Sequence, residues 1–267
     1  MTSQARIRPS ATAALGSASA TALCAVLAVL AVGAALAQPA PAFDLPAPRQ
    51  PLGAPIRLWA TYYHIHSAPE VNGGVPYRDA TGRAITPPVA PREWCQGSIE
   101  GTVQVVSRQG VKTTVNHAGA GQQVFVDCAG LMGINAQQQP WIHATSRAYF
   151  APARGEYGDG VTGYKLVPGR SLATTDARLP PGTALYLPAA RGAPLQLPGG
   201  RTVAHDGYFL VADTGHAVKP GQLDTFCGEF AGNCLPAIIG NDPASTFDAH
   251  RVTDPAVTGL LRALHAH

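Results

Sequence analysis

The chain has 267 residues, 46% of them hydrophobic and 13% charged, enough to bury a full core and too apolar for a chain disordered throughout. Its formal net charge of +3 includes Arg6 and Arg8 of a segment expected to be removed, so the balance carries no nucleic-acid footprint. With 29 glycines and 24 prolines, the composition favours an all-β body with many turns over a helical bundle.

Residues 1–37 read as a secretory signal peptide. Arg6 and Arg8 precede an apolar stretch over 18–36, and Ala35-Leu36-Ala37 before Gln38 has the small-x-small pattern of a cleavage site. Cleavage after Ala37 would place the mature protein in the periplasm or outside the cell, with no membrane anchor left. Cys24 follows Leu23 rather than a small residue, so it does not read as a lipid-attachment cysteine. The four remaining cysteines, Cys95, Cys128, Cys227 and Cys234, suggest two disulfides in an oxidising compartment. Three pairings are open; local spacing favours Cys227 with Cys234 and Cys95 with Cys128.

Residues 38–55 are proline-rich and read as an extended linker. Residues 56–68 form the first strand of the main fold, with Ala60, Tyr62, His64 and His66 alternating with Trp59, Thr61, Tyr63 and Ile65. An inserted β-rich region covers 69–163. Its first part, 69–91, has a loop composition; runs at 99–106, 111–116 and 123–128 read as strands, 141–150 as a short element and 156–163 as a glycine-laden loop. From 164 to 250 short strands at turn-punctuated spacing indicate a small barrel. The apolar run Tyr208-Phe209-Leu210-Val211-Ala212 delivers Asp213 into a turn, and eleven residues later Leu223 and Phe226 bracket Asp224. The last segment, 251–267, is a helix with Asp254 as its cap, Pro255 in its first turn and Val257, Leu260, Leu261 and Leu264 at helical spacing. Of the histidines, His117, His143, His250, His265 and His267 suggest no partner, and most are expected on the surface.

Four stretches carry a resemblance: Gly-Arg-Ser-Leu-Ala from Gly169, Leu-Pro-Pro-Gly-Thr from Leu179, Asp-Thr-Gly-His-Ala-Val-Lys from Asp213 and Leu-Asp-Thr-Phe from Leu223. They resemble the 3D, or three-aspartate, domain shared with the membrane-bound lytic murein transglycosylase A family, whose Gly- or Ala-x-Tyr-Tyr strand is similar to Ala60-Thr61-Tyr62-Tyr63. The resemblance covers about the last hundred residues and the Tyr62 region. It implies a mainly β fold, a six-stranded double-psi β-barrel with a small inserted β-sheet region and a C-terminal helix, and a groove for glycan strands of peptidoglycan. It also implies that Asp224 is the catalytic acid and Asp213 its turn aspartate. The chain departs from the pattern in two places: Thr175 stands where the first aspartate is expected, with Asp176 one place late, and His216 replaces a glycine. A one-residue slip in a strand turns the side chain to the other face, so Asp176 is a possible third aspartate only.

An ordinary glycosidase needs two carboxylates. A lytic transglycosylase can use one, because the hydroxymethyl oxygen of the N-acetylmuramoyl sugar attacks and gives a 1,6-anhydro product. Asp224 would donate a proton and then take one, with Asp213 supporting it, which requires Asp224 to be protonated at rest. Tyr62, Tyr63, His64, Thr214, His216 and Lys219 are the expected substrate-binding residues; the expected partner is peptidoglycan, and a monomer with no cofactor is expected.

Three alternatives bear on the same residues. The domain could bind glycan without cleaving it. Asp213-Thr214-Gly215 could be half of an aspartic protease, but there is only one such triplet, and proton sharing needs two. His64 and His66, joined by His205 or His216, could hold zinc in a murein peptidase, but no third ligand has diagnostic spacing, so no metal is expected.

Overall fold

A computed structural model describes residues 43–49, 52–215 and 218–267. The expected signal peptide, its cleavage site, Cys24 and His216 lie outside the described residues. In chain order the elements are β1 (Ile56–Tyr63), β2 (His66–Arg78), β3 (Ala84–Val89), α1 (Pro91–Glu100), β4 (Thr102–Val106), β5 (Lys112–Ala120), α2 (Cys128–Met132), α3 (Ile142–Thr145) and β6 (Ala148–Pro152). Then come β7 (Ser171–Ala173), β8 (Ala184–Tyr186), β9 (Pro194–Gln196), β10 (Thr202–Ala204), β11 (Tyr208–Asp213), β12 (Gln222–Phe226), β13 (Phe247–Arg251) and α4 (Pro255–Leu264).

Six strands close into a barrel in the order β1-β12-β7-β11-β8-β13, with β1 parallel to β12 and β7 parallel to β11. Its interior takes one or two apolar side chains from every strand: Leu58 and Ala60, Leu172, Leu185, Phe209 and Val211, Leu223, and Phe247 and Ala249. A five-stranded sheet, β3-β2-β4-β5-β6, is inserted after the first barrel strand and has its own core around Tyr77, Trp94, Val103 and Phe150. The mainly β chain with a six-stranded barrel, an inserted sheet and a C-terminal helix is as the sequence led one to expect.

The inserted region differs from its sequence reading in detail. Residues 69–91, with a loop composition, build most of the hairpin β2–β3. Its prolines are accommodated because β3 is an edge strand and the pairing shifts register twice, so few backbone N–H groups are required there. The first barrel strand ends at Tyr63 and the next strand already belongs to the inserted sheet. Ile99 and Glu100 are helical: Pro91 opens α1 and left-handed Gly101 closes it, the usual proline-in, glycine-out asymmetry. Residues 123–127 form no strand and lead into α2, capped by the Asp127 carboxylate. Disulfides join Cys95 to Cys128 and Cys227 to Cys234, the pairing that local spacing favours.

Part of the expected linker is packed. The ring of Phe43 lies 4.2 Å from the Arg170 guanidinium, and the Leu45 N–H donates to Asp206 Oδ2. At the other end of the chain Asp254 caps α4 through the Ala256 N–H. His265 is not a surface residue. It is fully buried, with Nδ1 at 2.7 Å from the Leu261 carbonyl and Nε2 at 3.0 Å from Ser171 Oγ, and so fixes α4 to β7. No helix among the described residues is long and apolar enough to cross a membrane.

Candidate active site

The two aspartates follow one another in sequence but not in the barrel. β7 runs between β11 and β12, and Ala173 is the register partner of both Asp213 and Asp224. Thr61 of β1 pairs with Asp224 on the other side. Thr61, Asp224, Ala173 and Asp213 therefore form a row across four strands, and register partners present their side chains to the same face. With strands about 4.8 Å apart, the two carboxylate-bearing Cα atoms stand about 10 Å from each other, with only a methyl group between.

This face is the outer wall of the barrel. On β12 Leu223 points inward and Asp224 outward; on β1 Leu58 and Ala60 point inward, and Tyr62 packs against the same inner cluster. Asp213 would by strict alternation follow Val211 inward. A register shift between Val211 and Asp213 turns it out beside Ala173 instead. The bulge thus places both carboxylates on one surface.

The inserted region shelters part of this wall. A Cβ on Gly160 would lie 2.2 Å from the Ala212 carbonyl oxygen, so only glycine allows the loop after β6 to come this close. The ring of Tyr157 meets the edge of Phe226, whose other neighbour is Tyr63. Asp213 and Asp224 are in consequence only partly exposed. Tyr63 donates its hydroxyl to Asp213 Oδ2 at 2.9 Å, and the Thr214 N–H donates to Oδ1 at 2.9 Å. Thr61 Oγ1 donates to Asp224 Oδ1 at 2.7 Å; among the described residues Oδ2 has no hydrogen-bond partner. Neither carboxylate has an ion-pair partner among the described residues.

Burial raises both aspartates above the ordinary carboxylate range. For Asp224 the Thr61 hydrogen bond works against this, and the negative charge of Glu100 adds to it. For Asp213 the bonds from Thr214 and Tyr63 oppose burial, and the charge of Asp224 reinforces it. Burial and then Asp213 push the Tyr63 phenol far up, so it stays a proton donor. The arrangement can hold a carboxylic acid protonated into the pH range where exposed carboxylates are ionised.

The other expected site residues fall in different places. Tyr63 shares the face of Asp224, whereas Tyr62 belongs to the inward side of β1. Thr214 and Lys219 are exposed in the segment that joins β11 to β12, and His64 lies just beyond β1. Asp176 is buried and forked onto Arg178, with its Oδ2 also accepting the Gly221 N–H. The Arg178 bonds hold it down to about 2, so it is a turn clamp ionised at any working pH. Thr175 spends its hydroxyl on the Val218 carbonyl. Among the described residues the histidines do not converge: His66 bonds Glu93, while His205 is buried against Phe209, with Nε2 on the Gly169 carbonyl and Nδ1 accepting from Gly207. No metal-holding group of three occurs among the described residues.

Sequence reading missed Glu100 and Gln222. Glu100 ends a helix in a region without motifs, and only the fold brings its charge to Asp224. Gln222 had a signal, since it stands two places before Asp224 and so on the same face of β12. A cavity of about 570 Å³ lies elsewhere, lined by Arg49, Ile56, Tyr208, Arg251 and Val257 among others, and has no such pair of carboxylates.

No protein-family model and no curated protein sequence matches the chain. Solved structures do. The chain is similar to E. coli MltA with bound chitohexaose, at 14% identity over 73% of this chain and 71% of that one, with a TM-score of 0.45. A membrane-bound lytic murein transglycosylase from Agrobacterium tumefaciens gives 15% identity, 77% and 76% coverage and a TM-score of 0.44. A lytic transglycosylase, LtgG, of Burkholderia pseudomallei gives 17%, 74% and 73%, and 0.37.

Proposed function

We propose that the chain is an exported peptidoglycan lytic transglycosylase that cleaves the β-1,4 bond between N-acetylmuramoyl and N-acetylglucosaminyl residues, with Asp224 as its single acid and base. The observation that carries this reading is the setting of Asp224: a partly buried carboxyl, bonded on one oxygen by a hydroxyl instead of a cation and, among the described residues, without a partner on the other. Such a group keeps its proton where an ion-paired one would lose it.

In the proposed reaction, Asp224 gives its proton to the glycosidic oxygen as the bond from that oxygen to C1 of the muramoyl sugar breaks. The C6 hydroxyl oxygen of the same sugar then bonds C1, and its proton passes to the Asp224 carboxylate. The products are a 1,6-anhydro sugar and a free hydroxyl on the neighbouring residue, and the acid is restored without water. Asp213, held by Tyr63 and Thr214, sits in the same row and supplies negative charge near the developing oxocarbenium ion. Tyr63, the half-buried His64 and the exposed Thr214 and Lys219 are the proposed substrate contacts. Export accords with the two disulfides, which persist in oxidising compartments.

The test is digestion of purified sacculi by the wild type and by Asp224→Asn, with soluble muropeptides resolved by mass. Anhydro-muropeptides from the wild type and none above background from the variant are expected; equal release by the variant would remove Asp224 from the chemistry. A second reading, glycan binding without cleavage, is favoured by one observation, the commitment of Asp176 to Arg178, which leaves two aspartates on this face instead of three. Co-sedimentation with sacculi and no soluble product from the wild type would establish it.

A further inference from the structure

We propose that Gln222 and Thr61 form a one-way hydrogen-bond relay that holds Asp224 with its proton on Oδ2, the oxygen without a partner among the described residues. Both are positioning residues, and the inference rests on the reading of Asp224 as the acid.

The direction is set at the far end. The backbone N–H of Lys219 can only donate, and it donates to Gln222 Oε1 at 3.0 Å. That fixes which end of the amide is which, because a flipped side chain would set an N–H against an N–H. The Nε2 of Gln222 must then face the other way, where it donates to Thr61 Oγ1 at 2.8 Å. With that lone pair filled, the hydroxyl has one proton to place, and Asp224 Oδ1 at 2.7 Å is its acceptor. If Asp224 instead donated from Oδ1 to Thr61, the hydroxyl proton would have no acceptor among the described residues, at the cost of an unmade bond in a partly buried place. Oδ1 is thus an acceptor in both protonation states, and the acid proton resides on Oδ2.

The fold makes this relay stiff. Gln222 is 7% exposed, and Thr174 Oγ1 donates to its backbone carbonyl at 2.7 Å. Thr61 and Asp224 are register partners on the parallel pair β1 and β12. The other ionisable groups near Asp224 leave Oδ1 alone: Tyr63 is committed to Asp213, Asp213 to Thr214 and Tyr63, and Glu100 accepts from Gln96.

The experiment follows Asp224 itself as well as turnover. The carboxyl carbon of Asp224 is titrated by NMR, and initial rates of anhydro-muropeptide release are measured across pH, for the wild type, Thr61→Val, Thr61→Ser and Gln222→Met. Thr61→Val should lower kcat roughly 10- to 100-fold with KM within about twofold. It should also move the Asp224 titration and the alkaline limb of the rate profile upward, since a bond that favours the carboxylate is lost. Thr61→Ser should restore both. Gln222→Met should lower kcat several-fold and shift the titration less than Thr61→Val does. An Asp224 titration unmoved in Thr61→Val, failure of serine to restore it, or a Gln222→Met enzyme with unchanged kcat would overturn the relay. The two readings separate cleanly. If the wild type releases no product, the enzyme reading fails while the titrations still decide the relay; if Asp224→Asn abolishes release but Thr61→Val titrates like the wild type, the relay alone fails.

Discussion

The parallel pair β7 and β11 carries an aspartate problem at each end, solved in opposite ways. Where the pair begins, Asp206 is buried and compensated: Arg170 forks onto it at 2.6 and 2.7 Å, and the N–H groups of Tyr208 and Leu45 add two more bonds. Burial alone would raise its pKa, yet the Arg170 bonds and charge outweigh that and bring it below the ordinary value. Where the pair ends, Asp213 and its row partner Asp224 are less buried, have no cation among the described residues, and are raised. Burial by itself does not mark a reactive acid; burial without a counter-charge does.

The two aspartates should differ most on removal of their carboxylates. Asp224→Asn should abolish anhydro-muropeptide release, a loss on the order of 10²- to 10⁴-fold, with a melting temperature at or above that of the wild type. Asp206→Ala should do the reverse in kind: it takes the carboxylate of a buried ion pair away from Arg170, at a cost on the order of 3–5 kcal/mol in chemical denaturation. If Asp224→Asn were the less stable variant, the contrast between the two ends would be wrong. The pH dependences have opposite sign as well. Asp206, depressed in the fold, contributes stability that is present above its unfolded pKa and lost as pH falls through the folded one. Asp224, raised in the fold, binds a proton more tightly there than when unfolded, so its contribution declines as pH rises through the window between the two values. Asparagine at 224 should remove that decline.

A third prediction concerns the end of the chain. His265, buried between α4 and β7, is lowered to about 4, chiefly by burial. Between that value and about 6.5 the unfolded chain binds a proton that the folded one refuses, so stability falls as pH drops through this window, by on the order of 3 kcal/mol when complete. His265→Gln should flatten that part of a melting-temperature profile, and an unchanged slope would mean that the ring is already charged in the fold.

Much of this was legible in the sequence, and the reasons are local. The run from Tyr208 to Ala212 is apolar and ends in Asp-Thr-Gly; Leu223 and Phe226 bracket Asp224 on a short strand; Cys227 and Cys234 are close enough in sequence to suggest each other. What strand composition does not encode is strand order. That β7 separates β11 from β12, that a bulge turns Asp213 outward, and that Tyr63 instead of Tyr62 reaches the aspartates depend on pairing register. Asp176 illustrates the same limit: its partner Arg178 is two residues away, but a carboxylate near an arginine in sequence becomes a clamp only when the turn points both the same way.

The smallest predicted effect tests the contribution that sequence could least have supplied. Glu100 closes α1 in the inserted region, with Oε1 accepting from Gln96 at 2.8 Å, and its charge reaches Asp224 on the barrel wall. It is exposed, so solvent screens it, and it ranks below both burial and the Thr61 bond in setting Asp224. Glu100→Gln should therefore lower the alkaline limb of the rate profile by only a few tenths of a pH unit, and added salt should shrink the difference between variant and wild type. A salt-independent shift would mean that α1 acts by holding the wall in place; no shift at low salt would mean that the barrel alone sets the acid and the inserted sheet contributes surface only.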